Sequence, residues 1–204
     1  MTTLLLVRHA EVAVRPDILL GRNDEVGLSG RGLERAARLA QHLRRLPISG
    51  LWSSPLRRTI QTAALIGEQL ALSIQIAHSL NEVDYGRWTG CSFAELERDP
   101  AWRSFNIVRT RAQVPGGETI EQVERRIIAQ LQRWTEDYQA KFIVAVTHAE
   151  IIRIAVLQSL GLSSDRYGQI EIRPCSVTVL RWDGARAHVI CQNDSGELDC
   201  LFDK

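Results

Sequence analysis

Lysine is nearly absent from this sequence: of 25 basic residues only Lys141 and Lys204 are lysines, and the other 23 are arginines. An excess of one charge is also missing. The net charge is +1, a balance that argues against a broadly cationic nucleic-acid binder. Long apolar runs are scarce. None approaches the roughly 20 residues that a membrane helix needs, and the best candidate, Ile151 to Leu162, is interrupted by Arg153. The four cysteines, Cys91, Cys175, Cys191 and Cys200, form no CxxC and no metal-ligand spacing. The apolar run near Met1 lacks the basic flank and small-residue cleavage site of a signal peptide. The expectation is a cytoplasmic protein with free thiols, with no nucleic-acid or membrane partner. A homodimer is left open, because no exposed apolar stripe stands out.

What is present is the composition of a globular chain, 45% apolar and 24% charged. Its length suits one domain, residues 1–204, on a prior of roughly 150 residues per domain. Arginine is a planar, bidentate ligand for phosphate and carboxylate, whereas lysine is a point charge. Arginines such as Arg31, Arg35, Arg38, Arg125, Arg126 and Arg133 fall at helical positions and read as solvated faces. The question is which few do something else.

Leu4 to Val7 is a continuous apolar run, as in a strand buried on both faces. After a polar loop, Ser29 reads as the N-cap of a helix whose stripe is Leu33, Ala36, Ala37, Ala40 and Leu43. Ile48 to Trp52 reads as a strand, Pro55 to about Leu70 as a helix, and Ile74 to Ala77 as a short strand. A long helix carries Ile120, Val123, Ile127, Leu131, Trp134 and Tyr138 on one face. Phe142 to Val146 is a further buried strand and Glu150 to Leu160 a further helix, while Ser176 to Arg181 and Ala187 to Cys191 alternate as edge strands do. Strands separated by helices imply an α/β fold with a mostly parallel sheet.

Two segments echo each other. Leu5-Leu6-Val7-Arg8-His9-Ala10-Glu11 and Val144-Ala145-Val146-Thr147-His148-Ala149-Glu150 each place a histidine directly after a buried strand. Ligands of open α/β sheets bind beyond the carboxyl ends of the strands, so parallel neighbours would aim both histidines at one crevice. His42, His78 and His188 lack that context and read as surface or packing residues. Metal binding is one use for two imidazoles, but HExxH is absent and Arg8 would repel a cation. An anion site fits better: a neutral imidazole is a nucleophile, and arginines hold phosphate oxygens bidentately. Ser53 to Ala63 opens a helix after a strand and puts Arg57 and Arg58 in its first turn, another anion-attracting element. Leu80 to Gly90 offers the carboxylates of Glu82 and Asp84, and a partly desolvated carboxyl can protonate a leaving oxygen.

These four segments resemble, in order, the motifs of the histidine phosphatase superfamily, the phosphoglycerate mutase-like proteins. Arg8-His9 with Glu11 resembles the Arg-His-Gly-Glu-Thr motif, and Arg58 aligns with the family's second arginine. Leu80 to Gly90 resembles the acid loop and Thr147-His148-Ala149 the Ser-His-Gly motif. The resemblance implies a three-layer α/β/α fold with a mostly parallel central sheet. It also implies a phosphohistidine on His9, a phosphate pocket of Arg8, Arg58 and His148, and Glu82 as acid and then base. No metal or organic cofactor is implied. Gly21, Arg22, Arg87 and the backbone N–H of Ala149 are further candidates for substrate binding. Where many members carry a phosphate-contacting Asn this chain has Arg15, either a fourth phosphate ligand or a solvated side chain. Ala10 and Ala149 stand where the family has glycine.

Mutases of this superfamily carry a longer insertion between the acid and the second histidine. Here that interval is short, and both Asp84 to Gly90 and Pro115 to Thr119 resemble the phosphatase branch, which includes the α-ribazole phosphatases and broad-specificity phosphatases. The expectation is a metal-independent, acid-type histidine phosphatase acting on a small phosphomonoester. A cofactor-dependent phosphoglycerate mutase and a catalytically silent phosphate-recognition module are the alternatives. Cys175 to Arg181 has the Cx5R spacing of a cysteine phosphatase, but Ser176 to Leu180 reads as a strand rather than a phosphate loop. Gly30-Arg31-Gly32 lacks the third glycine of a dinucleotide fingerprint and reads as a helix start.

Overall fold

The computed structural model describes residues 1–182 and 187–201; the remainder of the expected 1–204 domain lies outside the described residues. In chain order the elements are β1 (Thr2–Arg8), α1 (Gly30–Leu43), β2 (Ile48–Ser53), α2 (Arg57–Leu70), β3 (Ile74–Ile76), α3 (Phe93–Leu96), α4 (Pro100–Ile107), α5 (Ile120–Asp137), β4 (Phe142–Thr147), α6 (Ala149–Ser159), β5 (Val177–Trp182) and β6 (Ala187–Asp194). The strands form one sheet in the order β3-β2-β4-β1-β5-β6. β1, β4, β2 and β3 run parallel, while β5 is antiparallel to β1 and to β6.

Successive residues of a strand point to opposite faces, and the core divides accordingly. Leu4, Leu6, Ile143 and Ala145 pack with the buried stripes of α5 and α6. Leu5, Val7, Val144 and Val146 pack with Ala36, Leu39, Ala63 and Ile66 of α1 and α2. The result is the three-layer α/β/α arrangement with a mostly parallel sheet.

Three local expectations are corrected. Ser176 to Arg181 is not an edge: β5 pairs on both sides, is buried along most of its length, and leaves the edge to β6. On α1, Leu33 is exposed and Leu39 takes its place in the core. The cause is Gly32, which lies so close to the backbone of Glu11 that a Cβ would come within 2.1 Å of the Glu11 carbonyl oxygen. That contact turns the buried face of the helix. α2 begins at Arg57 with Leu56 as N-cap, so Pro55 belongs to the preceding turn. The Cx5R segment holds β5, and burial pushes the Cys175 thiol up to about 12, leaving an inert thiol.

The register places Arg8 opposite Thr147 at the carboxyl ends of β1 and β4. The next residue of each strand is a histidine. The sheet thereby brings His9 and His148 together.

Candidate active site

The rings of His9 and His148 meet edge to face, with centroids 5.3 Å apart. His9 Nδ1 lies 2.8 Å from the carbonyl oxygen of Ala10. A carbonyl only accepts, so the proton sits on Nδ1 and Nε2 carries the lone pair. Burial, then the positive charge of Arg58, lowers the pKa of His9 to about 3. The ring is therefore neutral across the physiological range, with a lone pair on Nε2. Thr62 Oγ1 accepts from the N–H of Ala10 at 3.1 Å and fixes the turn that carries the histidine.

His148, fully buried, is the N-cap residue of α6. Its Nδ1 lies 3.4 Å from Arg58 Nη2, a donor only, so Nδ1 accepts. Nε2–H then donates to Ser54 Oγ at 2.9 Å. Burial holds His148 well below the usual histidine range, so in the free site it too is neutral.

Arg58 is 1% exposed and is held by backbone oxygens: Nη1 donates to Asn23 O at 2.8 Å and Nη2 to Gly21 O at 2.6 Å. Gly21 adopts φ +49°, the left-handed conformation that presents this carbonyl. Arg8 Nη1 likewise donates to Ile172 O at 2.6 Å. Neither guanidinium has a carboxylate partner among the described residues, and the buried Nε of each has no hydrogen-bond partner. Carbonyls fix their positions without cancelling their charge. That is the electrostatics of an anion site.

Glu82 faces the same space, its Oε2 3.8 Å from His148 Nδ1 and its Oε1 accepting from Val83 N at 3.0 Å. Burial, reinforced by the negative charge of Glu150, raises its pKa to about 7. Such a carboxyl can give and take a proton near neutrality.

Arg8, His9, Gly21, Arg58, Glu82 and Ala149 line one cavity of about 420 Å³. Three other candidates are not on its wall: His148 lies buried behind His9 and Arg58, and two arginines lie elsewhere. Arg22 is not on the cavity wall: it donates to Glu82 O at 2.9 Å and pairs with Glu118 at 2.8 Å and Asp84 at 3.4 Å, so it positions the acid loop rather than substrate. Arg87 is exposed and also off the wall, because the turn Gly86–Trp88 directs Trp88 inward instead. Arg15 reaches the cavity but stands 79% exposed at its rim, paired in two bonds with Asp17. The solvated alternative fits it better.

Sequence reasoning missed Glu150, a buried carboxylate on the wall that ion-pairs with both Arg153 and Arg109. Arg153 stands one helical turn after Glu150, a legible spacing. Arg109 comes from a distant segment and offers no such signal. It is 5% exposed, with its guanidinium 3.2 Å from the centre of the Tyr167 ring. Among the described residues no cluster of three His, Cys, Asp or Glu side chains is arranged to hold a metal, and no helix is long and apolar enough to cross a membrane.

The family model described as histidine phosphatase superfamily (branch 1) matches residues 4–195. "Bifunctional protein Rv2228c" of Mycobacterium tuberculosis is 30% identical over 201 residues, covering 97% of this chain and 55% of that protein. The chain thus spans about half the length of that relative. "Phosphoserine phosphatase 1" of Hydrogenobacter thermophilus is 29% identical over 198 residues, 95% of this chain and 92% of that one. Among solved structures, YhfR of Bacillus stearothermophilus superposes with a TM-score of 0.88 at 23% identity, covering 95% of this chain and 98% of that one. The last similarity bears on the fold alone.

Proposed function

Because the chain belongs to branch 1 of the histidine phosphatase superfamily, we propose that it hydrolyses small phosphomonoesters through a phosphohistidine on His9. The observation that carries this reading is the neutral His9, with its lone pair on Nε2, beside two guanidinium groups that are held by backbone carbonyls rather than by an ion pair. In the first step Nε2 attacks phosphorus and the bond to the ester oxygen breaks. The Glu82 carboxyl delivers its proton to the leaving alkoxide. Arg8 and Arg58 stabilise the charge on the transferring phosphoryl oxygens, and His148 packs directly behind His9 and Arg58. In the second step a water oxygen attacks phosphorus, its proton passes to the Glu82 carboxylate, and the P–N bond breaks. Inorganic phosphate leaves and His9 recovers its lone pair. The pKa of about 7 suits a group that is acid in one step and base in the next.

The test is hydrolysis of p-nitrophenyl phosphate in EDTA between about pH 5 and 8, with trapping of an acid-labile phosphoenzyme. We expect EDTA-resistant turnover, and loss of both turnover and label in His9→Ala. A label that persists in that variant overturns the assignment of the nucleophile, and turnover abolished by EDTA overturns the metal-independent mechanism.

A further inference from the structure

The cavity is much larger than its phosphate end. Its volume of about 420 Å³ lies in the range that holds a whole small-molecule ligand. Beyond Arg8 and Arg58 the walls are built from Val12, Val14, Ile18, Leu19, Leu20 and Phe93. This apolar wall is tied in place. Ile18 bridges Ser92, the N–H of Leu19 donates to Cys91 O at 2.9 Å, and the N–H of Phe93 donates to Asp17 O at 2.9 Å. Phe93, 40% exposed, presents its ring at the cavity mouth.

Every charged side chain on this outer part already has a partner. Arg15 is matched by Asp17, Arg153 by Glu150 and Glu11 by Arg35. The second arginine on Glu150, Arg109, is not on the wall and lies under the Tyr167 ring. A carboxylate or second phosphate on the substrate would meet apolar surface and side chains already engaged in ion pairs. Desolvating such an anion without a free cation is unfavourable, and that selects against it. An uncharged apolar group would lose only water.

Building on the phosphatase reading, we propose that the substrate is the phosphate ester of an uncharged alcohol with an apolar body, and that esters bearing a second anion are discriminated against. The test compares kcat/KM for 2-phenylethyl phosphate, 3-phosphoglycerate and O-phosphoserine. All three are primary alkyl phosphates, so the demand on the acid is similar. p-Nitrophenyl phosphate reports activity independently. We expect 2-phenylethyl phosphate to be favoured at least tenfold over both carboxylated esters, and a lower ratio overturns the proposal. In Phe93→Ala we expect that preference to fall at least threefold, the loss falling mainly on 2-phenylethyl phosphate. An unaltered preference in a folded variant overturns the assignment of the apolar wall. Turnover of p-nitrophenyl phosphate with no preference among the alkyl esters sinks this inference and spares the phosphatase reading. Absence of turnover on every ester sinks both.

Discussion

The inner and outer halves of the cavity both contain arginines, but they hold them differently. Arg8 and Arg58 are fixed by the carbonyl oxygens of Ile172, Asn23 and Gly21. Arg15 is fixed by the carboxylate of Asp17, and Arg153 by that of Glu150, which it shares with Arg109, together with the carbonyl oxygen of Ile170. A carbonyl orients a guanidinium and leaves its charge available, whereas a carboxylate orients it and cancels the charge. Two arginines on one wall can therefore differ in function with no difference in residue type. Burial sharpens the contrast, because an uncompensated charge interacts more strongly where water is excluded.

Substituting an inner cation breaks the comparison most severely. Arg58→Ala is expected to lower kcat/KM for alkyl phosphates by about 10²–10³, the scale of losing a preorganised charge in a transition-state site. Arg58→Lys should recover little of this, since lysine cannot reproduce the fork that bonds Gly21 and Asn23. Steady-state kinetics on both variants decides it. A loss below tenfold in Arg58→Ala would remove the distinction between the two halves.

Glu82 comes next. In Glu82→Gln we expect kcat on alkyl phosphates to fall by about 10²-fold, and on p-nitrophenyl phosphate less than tenfold, because nitrophenolate leaves without a proton. In the wild type, kcat/KM on alkyl esters should decline above about pH 7 as the acid form is lost. Stability moves in a related way. Folding raises the Glu82 carboxyl from 4.5 to about 7, so the native state binds the proton more tightly than the unfolded chain. Native stability therefore falls as pH rises through that window. Glutamine does not ionise, so the variant should gain on the order of 1–3 kcal/mol relative to wild type at pH 8 and nothing near pH 4. Urea unfolding at the two pH values checks this, and equal stabilities at pH 8 would contradict the burial of an ionised Glu82.

The inner half was legible in the sequence, and the outer half was not. His9, Arg8 and His148 each sit at the end of an apolar run, and strand ends are where an α/β sheet places its ligands. Arg58 stands in the first turn of a helix after a strand, where anions are attracted. Those are local patterns. The role of Arg22 depends on Glu118, and the state of Arg153 depends on Glu150 shared with Arg109. These partners come from separate segments whose meeting follows from the fold, not from any spacing. Periodicity yields the α/β alternation and the mostly parallel sheet where burial is simple, while the three-layer arrangement comes from the family resemblance. The reading failed at Leu33, where one glycine against Glu11 turns a helix, and at β5, where an alternating sequence lies inside the sheet.

The smallest effect tests the comparison from its other side. Arg15 carries the same guanidinium as Arg58 and lines the same cavity, but both its bonds go to Asp17 and it is 79% exposed. Exposed pairs of this kind are screened by solvent and contribute little to stability, so the partner is not held tightly. Arg15 is therefore the outer arginine that a single substitution at its partner would most simply release. If compensation rather than proximity decides which arginines act, Arg15→Ala should change kcat/KM on uncharged alkyl phosphates by less than twofold. Asp17→Asn, which frees Arg15 without removing it, should instead improve kcat/KM for 3-phosphoglycerate several-fold. Steady-state kinetics on the two variants separates the cases. A tenfold loss on alkyl phosphates in Arg15→Ala would mean that the rim arginine already serves the phosphate, and that its pairing with Asp17 does not silence it.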